Sequence, residues 1–319
     1  MPKASLCDNF VKNKTLNQIQ VNKLHTFAGH RSSVYTLQQA DEPHLFFSAA
    51  GDGFVVQWDL KNLGDGELIA QLPNSVYALQ LLKEKKLLVV GQNFSGIHLI
   101  DYQNKKEIAS LQLTSSSIFD IQFFENDLIV ACGDGVIVIV DLEKWMVKKR
   151  IAPADKSART ISINHLSREM AVGFSDNFIR VFSLDDYKLK HEYQAHINSI
   201  FTLNYSPDKK ILFSGSRDAR LKIWDATANY KQADEVVAHM YAINHLTFSP
   251  SGKNFATCSM DKSIKIWNTE TLQLLKVIDK SRHAGHGTSV NKLLWTAYNN
   301  LLVSASDDRS ISAWDLLHL

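Results

Sequence analysis

Cysteine is scarce in this sequence, with three in 319 residues (Cys7, Cys132 and Cys258). Their wide spacing and odd number exclude a disulfide framework and a zinc-binding pattern, and suit a reducing compartment. Proline (6) and glycine (14) are few, which excludes collagen-like and low-complexity chains. Neither sign of charge dominates. With 35 basic and 33 acidic residues the net charge is +2, too balanced to make nucleic acid or an anionic membrane an obligatory partner. Long hydrophobic runs are missing as well: the most apolar stretch, "DLIVACGDGVIVIVDL", is broken by Gly133-Asp134-Gly135 and cannot span a bilayer. The opening residues, "MPKASLCDNFVKNKTLNQ", lack the apolar core of a secretory signal. There is no Gly-rich phosphate loop, H-E-x-x-H or nucleophile elbow, and no convincing amphipathic helix. A cytoplasmic chain without a cofactor is expected.

What the sequence does contain is repetition. "GDGFVVQWD" ends at Asp59, "SRDARLKIWD" at Asp225, "SMDKSIKIWN" at Asn268 and "SDDRSISAWD" at Asp315. Three weaker copies, "NFSGIHLID", "GDGVIVIVD" and "SDNFIRVFS", end at Asp101, Asp141 and Ser183. The tryptophan places fall at 58, 100, 140, 182, 224, 267 and 314, so successive copies lie 42, 40, 42, 42, 43 and 47 residues apart. Such a period marks a repeat architecture. Within each repeat the pattern alternates with period 2, as in "FVVQW" and "SIFTLNY". Turn formers such as "SPDKK" and "SPSGK" separate the segments, giving about four short strands per repeat.

With Gly-His near one end and Trp-Asp at the other, residues 24 to 319 resemble the WD40-repeat family, most specifically in repeats 1, 5, 6 and 7. The resemblance implies an all-β fold: a seven-bladed propeller of four-stranded antiparallel blades around a channel. Too little chain follows Trp314 for a fourth strand of the last blade. Residues 19–28 are therefore expected to supply it and close the ring, with residues 1–18 a flexible tail and 19–319 the propeller. The chain is expected to carry no second module and to act as a monomeric propeller within a larger assembly.

Ser214, His196 and Asp218 have the composition of a hydrolase triad, but the same residue types recur in register. Repeat 1 has His30, Ser48, Asp52 and Trp58, and repeat 5 has His196, Ser214, Asp218 and Trp224. Repeat 6 has His239, Thr257, Asp261 and Trp267, and repeat 7 has His286, Ser304, Asp308 and Trp314. Four copies argue against one active site. They resemble the hydrogen-bonded tetrads of WD40 blades, in which carboxylate accepts from imidazole, imidazole donates onward to hydroxyl, and indole N–H donates as well. His283 and His286 in "HAGHG" lack metal-ligand company, and His286 is better placed in its tetrad. Repeats 2 to 4 hold Leu72, Thr114 and Ala154 at the histidine places and Ile100, Val140 and Phe182 at the tryptophan places. Phe94 replaces the aspartate of repeat 2. Those blades are expected to rely on apolar packing.

Two further sets of matched positions bear on binding. Five residues after each histidine place stand Tyr35, Tyr77, Phe119, Arg159, Phe201, Asn244 and Asn291. Just before each aspartate place stand Gly51, Asn93, Gly133, Ser175, Arg217, Met260 and Asp307. The face carrying these loops is where the family often binds peptides. Tyr35, Tyr77, Phe119, Arg159, Phe201, Arg217 and Met260 are the candidate contacts, being of types that concentrate binding energy. Arg159 and Arg217 are expected to be free to pair an anion. A non-catalytic scaffold binding a peptide or protein partner at the channel mouth is the leading expectation. The alternatives are a nucleic-acid- or phosphoinositide-binding propeller using the basic runs "KEKK", "NKKE" and "VKKR", or an enzyme built on scattered groups such as Asp120 and His245. The paired-arginine motif of phosphoinositide-binding propellers is absent, and a nucleic-acid partner is not expected.

Overall fold

Residues 19–317 of the computed structural model form seven antiparallel sheets of four strands each. Residues 1–18, including the expected tail, and residues 318–319 lie outside the described residues. The first blade runs outward from the channel through Val34–Gln39, Leu45–Ala50, Phe54–Asp59 and Glu67–Gln71. Blades 2 to 6 repeat this order, starting from inner strands Val76–Leu82, Ile118–Phe124, Ala158–Asn164, Ile200–Tyr205 and Ile243–Phe248. Blade 7 departs from it. Its three inner strands are Val290–Trp295, Leu302–Ser306 and Ile311–Leu317, and its outer strand is Gln20–Phe27, paired antiparallel to Ile311–Leu317. The inner strand of blade 7 packs beside that of blade 1, so the ring is closed. Among the described residues the helical elements are one α-helix of four residues, Lys280–His283, and three single 3-10 turns. No helix among them is long and apolar enough to cross a membrane.

Burial explains the residue patterns strand by strand. The second strand of each blade is covered on both faces by neighbouring blades. Asp127–Cys132 and Glu169–Phe174 are accordingly buried at every position, which is why such strands are apolar without alternation. Outer strands such as Gln20–Phe27 and Leu189–Gln194 alternate between exposed and half-buried positions over most of their length, the period-2 signature of one wet face.

Blades are wedges and must narrow toward the axis. At one matched position of the second strand stand Ala49, Gly91, Ala131, Gly173, Gly215, Cys258 and Ala305, all small. The reason is visible at Gly91, Gly173 and Gly215. A Cβ there would lie 2.7–2.8 Å from the γ-methyl of Ile118, Ile200 or Ile243 of the next blade.

The inner edges pose a second problem, because unpaired backbone N–H groups are costly once water is excluded. Side chains of the preceding blade meet several of them. Asp120 accepts from Ile161 N–H (2.7 Å), Thr160 from Leu203 N–H (3.3 Å), Thr202 from Leu246 N–H (3.2 Å) and His245 Nδ1 from Leu293 N–H (3.3 Å). Asp120 and His245 thus join neighbouring blades.

Phe27, in the strand that closes the ring, is fully buried against Phe46 and Trp58 of blade 1. Phe27→Ala is expected to destabilise the protein by about 3–5 kcal/mol in chemical denaturation. Leu24→Ala, at an exposed position of the same strand, should change stability by less than about 0.5 kcal/mol. A loss below about 1 kcal/mol for Phe27→Ala would mean that the closing strand contributes little.

Candidate functional site

The four sets of His, Ser/Thr, Asp and Trp are each joined in one hydrogen-bonded chain within a blade. Imidazole Nδ1 lies 3.3 Å from Asp52 in blade 1 and 2.9 Å from Asp218, Asp261 and Asp308 in blades 5 to 7. Nε2 meets Ser48, Ser214, Thr257 and Ser304 at 2.7–2.8 Å. The indole N–H of Trp58, Trp224, Trp267 and Trp314 donates to the same hydroxyls at 2.7–2.9 Å. Each hydroxyl is buried between its two partners and held by both.

The direction of one link differs from the sequence-based expectation. Burial lowers the pKa of His30, His196 and His239, outweighing their aspartates. Burial would by itself raise Asp218, but hydrogen bonds from His196 and from the backbone N–H groups of Arg220 and Ile197 bring it down to about 2. Asp261 and Asp308 are likewise held well below the carboxylate range despite burial. A neutral imidazole has one N–H proton, and it stays at Nδ1, where the N–H donates a hydrogen bond to the ionised carboxylate. Nε2 therefore accepts from the hydroxyl instead of donating to it.

Blades 2 to 4, expected to rely on apolar packing, carry polar links of their own. Thr114 donates to Asp134 (2.9 Å), and buried Arg180 bridges Asp176 and Glu192. Asn93 is fully buried, where it donates to Ser75 and accepts from Ile118 N–H. Three tyrosines also reach back one blade to an acid: Tyr102 to Asp41 (2.5 Å), Tyr187 to Asp127, and Tyr230 to Glu169 (2.8 Å). Sequence alignment to the tetrad could not show these, because each joins residues about 60 apart in different blades.

A single device builds the channel mouth. In every inner strand the pairing register slips at the second residue, leaving Tyr35, Tyr77, Phe119, Arg159, Phe201, Asn244 and Asn291 without a partner. Each is a β-bulge, which re-aims the side chain it carries. All seven line one cavity of about 720 Å³. The sequence held a signal for this. Buried apolar residues stand three apart across each bulge, as in Val34 and Leu37, Ile118 and Ile121, Ile200 and Leu203. An unbroken strand would place them two or four apart.

The five non-amide members form a continuous crescent. Tyr35 meets Tyr77 edge to face, with ring centroids 4.5 Å apart, and Tyr77 stacks on Phe119 at 5.8 Å. The Arg159 guanidinium lies 4.0 Å from the Phe119 centroid and 5.4 Å from that of Phe201, with its Nε donating to Ser175 (2.9 Å). Arg159 is therefore fixed in place, not a free side chain. Glycine before the turn aspartate makes room for two of the rings. A Cβ at Gly51 would clash with Ser32 Oγ (2.5 Å) and press on Tyr35 (3.2 Å), and one at Gly133 would clash with Ser116 Oγ (2.4 Å) and press on Phe119 (3.3 Å). On the opposite arc Asn244 and Asn291 donate to the backbone carbonyls of Val290 and Val34 in the next blades.

Arg217 and Met260 do not line this cavity. They are exposed in the turns before Asp218 and Asp261, on the surrounding rim. Ile197, Met240 and Tyr241 stand in the facing loops of blades 5 and 6, 77%, 82% and 61% exposed. Sequence reasoning missed these three, which directly follow the histidine places. The basic runs differ: "KEKK" forms the surface turn Lys83–Lys85, while four of the five basic residues in the other two runs are engaged. "VKKR" lies within the outer strand Met146–Ile151, where Lys148 pairs Asp127, Lys149 donates to Asp186 O and Arg150 to Leu113 O. Lys105 pairs Glu67.

The architecture is that of a seven-bladed propeller with a bulge-lined channel. The family model described as "WD domain, G-beta repeat" matches residues 21–59, 187–225, 231–268 and 278–315, the repeats with complete tetrads. The chain is a WD40-repeat propeller. It is 25% identical over 224 residues to protein lethal(2)denticleless of Drosophila melanogaster, covering 64% of this chain and 28% of that protein. It is 23% identical over 172 residues to WD repeat-containing protein SL1-17 of Schistosoma mansoni (53% and 57%). It is 22% identical over 196 residues to protein groucho of Drosophila melanogaster (58% and 26%). The matches thus span between about a quarter and somewhat over half of these relatives' lengths.

Two outcomes follow from the tetrads. Trp224→Ala should cost about 3–5 kcal/mol, the range for deleting a large buried aromatic. Trp224→Phe keeps an aromatic ring but removes the indole N–H and part of the packed volume, and should cost about 1–3 kcal/mol, less than the alanine variant. Equal losses for the two variants would remove the energetic distinction. Stability should also fall with acidification. The unfolded chain binds protons at His30, His196 and His239 below about pH 6.5 while the folded chain, by burying them, holds these three neutral to lower pH, so unfolded protein gains protons first. Asp218 adds a further loss as pH drops from about 4 toward 2, where its folded form at last protonates. Tm should be lower at mildly acidic than at neutral pH; a higher value would mean that the imidazoles are charged in the fold.

Proposed function

We propose that this chain is a non-catalytic interaction module that takes a peptide segment of a protein partner at the channel mouth. The observation that carries the reading is the sevenfold bulge, which directs seven side chains of different blades into one cavity. Bulges at the starts of strands cost ladder hydrogen bonds and are common beside binding sites. Four aromatic rings held edge to face, stacked or against a guanidinium present a pre-ordered apolar surface with little rotamer entropy left to lose. Exposed Ile197, Met240, Tyr241 and Met260 extend that surface onto the rim of blades 5 and 6, large enough apolar exposure to favour a macromolecular partner. WD40 propellers generally serve as protein-interaction scaffolds, which agrees with this reading.

The catalytic alternative draws on Asp120 and His245, and both already accept backbone N–H groups at blade junctions. A scaffold whose working residues position other proteins needs no such groups free.

The test is a random-sequence peptide display library panned on the protein and counter-screened on a Tyr77→Ala, Phe119→Ala, Phe201→Ala variant whose fold is verified by thermal melting. Enrichment of a common peptide motif that the variant fails to bind is the expected result. A motif bound equally by both would move the site away from the channel mouth. Failure to enrich any motif would count against peptide binding altogether.

A further inference from the structure

The charges lining the channel cavity do not cancel. Arg159, Lys209 and Lys292 contribute cationic side chains, and Asp120 is the one carboxylate among the lining residues. Both Asp120 oxygens are already engaged, one by Ile161 N–H and the other by Gln122 Nε2. None of the three cations makes an ion pair among the described residues, whereas the buried or half-buried cations Arg180 and Lys222 elsewhere in the ring each pair a carboxylate. At the rim, Asp307 accepts from Asn291.

Within that field Arg159 is arranged for recognition. Its guanidinium is clamped between Phe119 and Phe201, and Nε is spent on Ser175. Its two terminal nitrogens make no hydrogen bond to the described residues. Burial lowers its pKa and outweighs the opposing effect of Tyr77, with neighbouring Arg217 adding like-charge repulsion. Lys209 is half-buried, and burial alone lowers it. It stands in the turn after the inner strand of blade 5, at the other end of the channel from Arg159. The slot between the two phenylalanine rings, where a ligand's cation would otherwise stack, is filled by the chain's own arginine.

We propose that the channel is a carboxylate receptor: the peptide segment it takes carries an aspartate or glutamate side chain, or a free C-terminus, which the terminal nitrogens of Arg159 bind as a fork. The proposal rests on the peptide-binding reading and specifies its ligand. A planar carboxylate matches the guanidinium fork bidentately, and the flanking rings fix the plane of approach. Lys209 and Lys292 supply attraction without geometry. A lysine or arginine side chain in the ligand would meet a net positive field of three cations against the single carboxylate of Asp120, whose oxygens already accept from Ile161 N–H and Gln122 Nε2.

Binding is measured by fluorescence anisotropy with four dye-labelled degenerate peptide pools. One has Asp or Glu at a fixed central position and an amidated C-terminus, one is neutral with a free C-terminal carboxylate, one is neutral and amidated, and one has central Lys or Arg and is amidated. One or both carboxylate pools should bind the wild type about ten- to hundred-fold more tightly than the neutral amidated pool, and the basic pool should bind least. Which carboxylate pool leads tells side chain from chain end. Arg159→Gln should abolish the preference. Because Arg159 also packs between two rings, Lys209→Gln gives an independent readout. With Arg159 intact it should weaken the preferred carboxylate pool about two- to threefold at about 0.01 M salt and hardly at all at about 0.15 M, since the two cations stand at opposite ends of the channel, and it should leave the neutral pool unchanged. If the neutral or basic pool binds best and the Tyr77, Phe119, Phe201 triple variant abolishes that binding, the carboxylate proposal fails while the channel-mouth site survives. If no pool binds, both fail.

Discussion

A four-stranded blade cannot cover its own faces, so every part of this protein depends on the ring being closed. Each second strand is buried only because a neighbouring blade lies on either side of it. Removing one neighbour would expose a full apolar face and an inner edge of unpaired N–H groups. The join between Gln20–Phe27 and Ile311–Leu317 ties strands almost 300 residues apart into one sheet. It therefore bears on all seven blades. Phe27 shows how the join is held: its ring leaves blade 7 and packs on Phe46 and Trp58 of blade 1. Tertiary packing across the seam and strand pairing within it reinforce each other.

The same ring geometry generates the candidate site. Inner strands converge on an axis, where space is limited and small residues are required on the second strands. A regular strand would alternate its side chains between the two blade interfaces. The bulge at the second residue of each inner strand interrupts this alternation and frees one side chain per blade for the channel. What those side chains do then differs around the ring. Asn244 and Asn291 turn back to bond the neighbouring blade, while Tyr35, Tyr77, Phe119, Arg159 and Phe201 pack on one another and face the cavity. The arc built by blades 1 to 5 is thus the one with surface to offer a partner, and its single charged member is already oriented.

Blades that lack the His–Ser–Asp–Trp chain are held in other ways. In blades 1, 5, 6 and 7 the polar link lies within the blade and fastens its strands together. In blades 2 to 4 it more often crosses between blades, through Tyr102 and Tyr187, through Arg168 of blade 4 donating to Glu125 of blade 3, or through Asn93 reaching Ile118. Blade 5 has both kinds of link, since Tyr230 meets Glu169. Loss of the repeat signature did not mean loss of polar satisfaction. It moved the bonds to places where no motif repeats.

The repeat period, the strand alternation within it and the four complete sets of tetrad residues were enough to establish seven four-stranded blades closed by an N-terminal strand. Those features are local or periodic, so they survive as patterns along the chain. The seven matched positions of the channel mouth were legible for the same reason, and even the bulges left a trace in apolar residues spaced three apart. The fate of each side chain was another matter. That Arg159 would be clamped by Phe119 and Phe201, that Asp120 would serve Ile161, or that Tyr187 would reach Asp127, depends on blades meeting across about 40 to 60 residues of sequence. Only the closed ring brings those residues within hydrogen-bonding and stacking distance, so only the tertiary structure could decide which charges are spent inside the protein and which are left for a ligand.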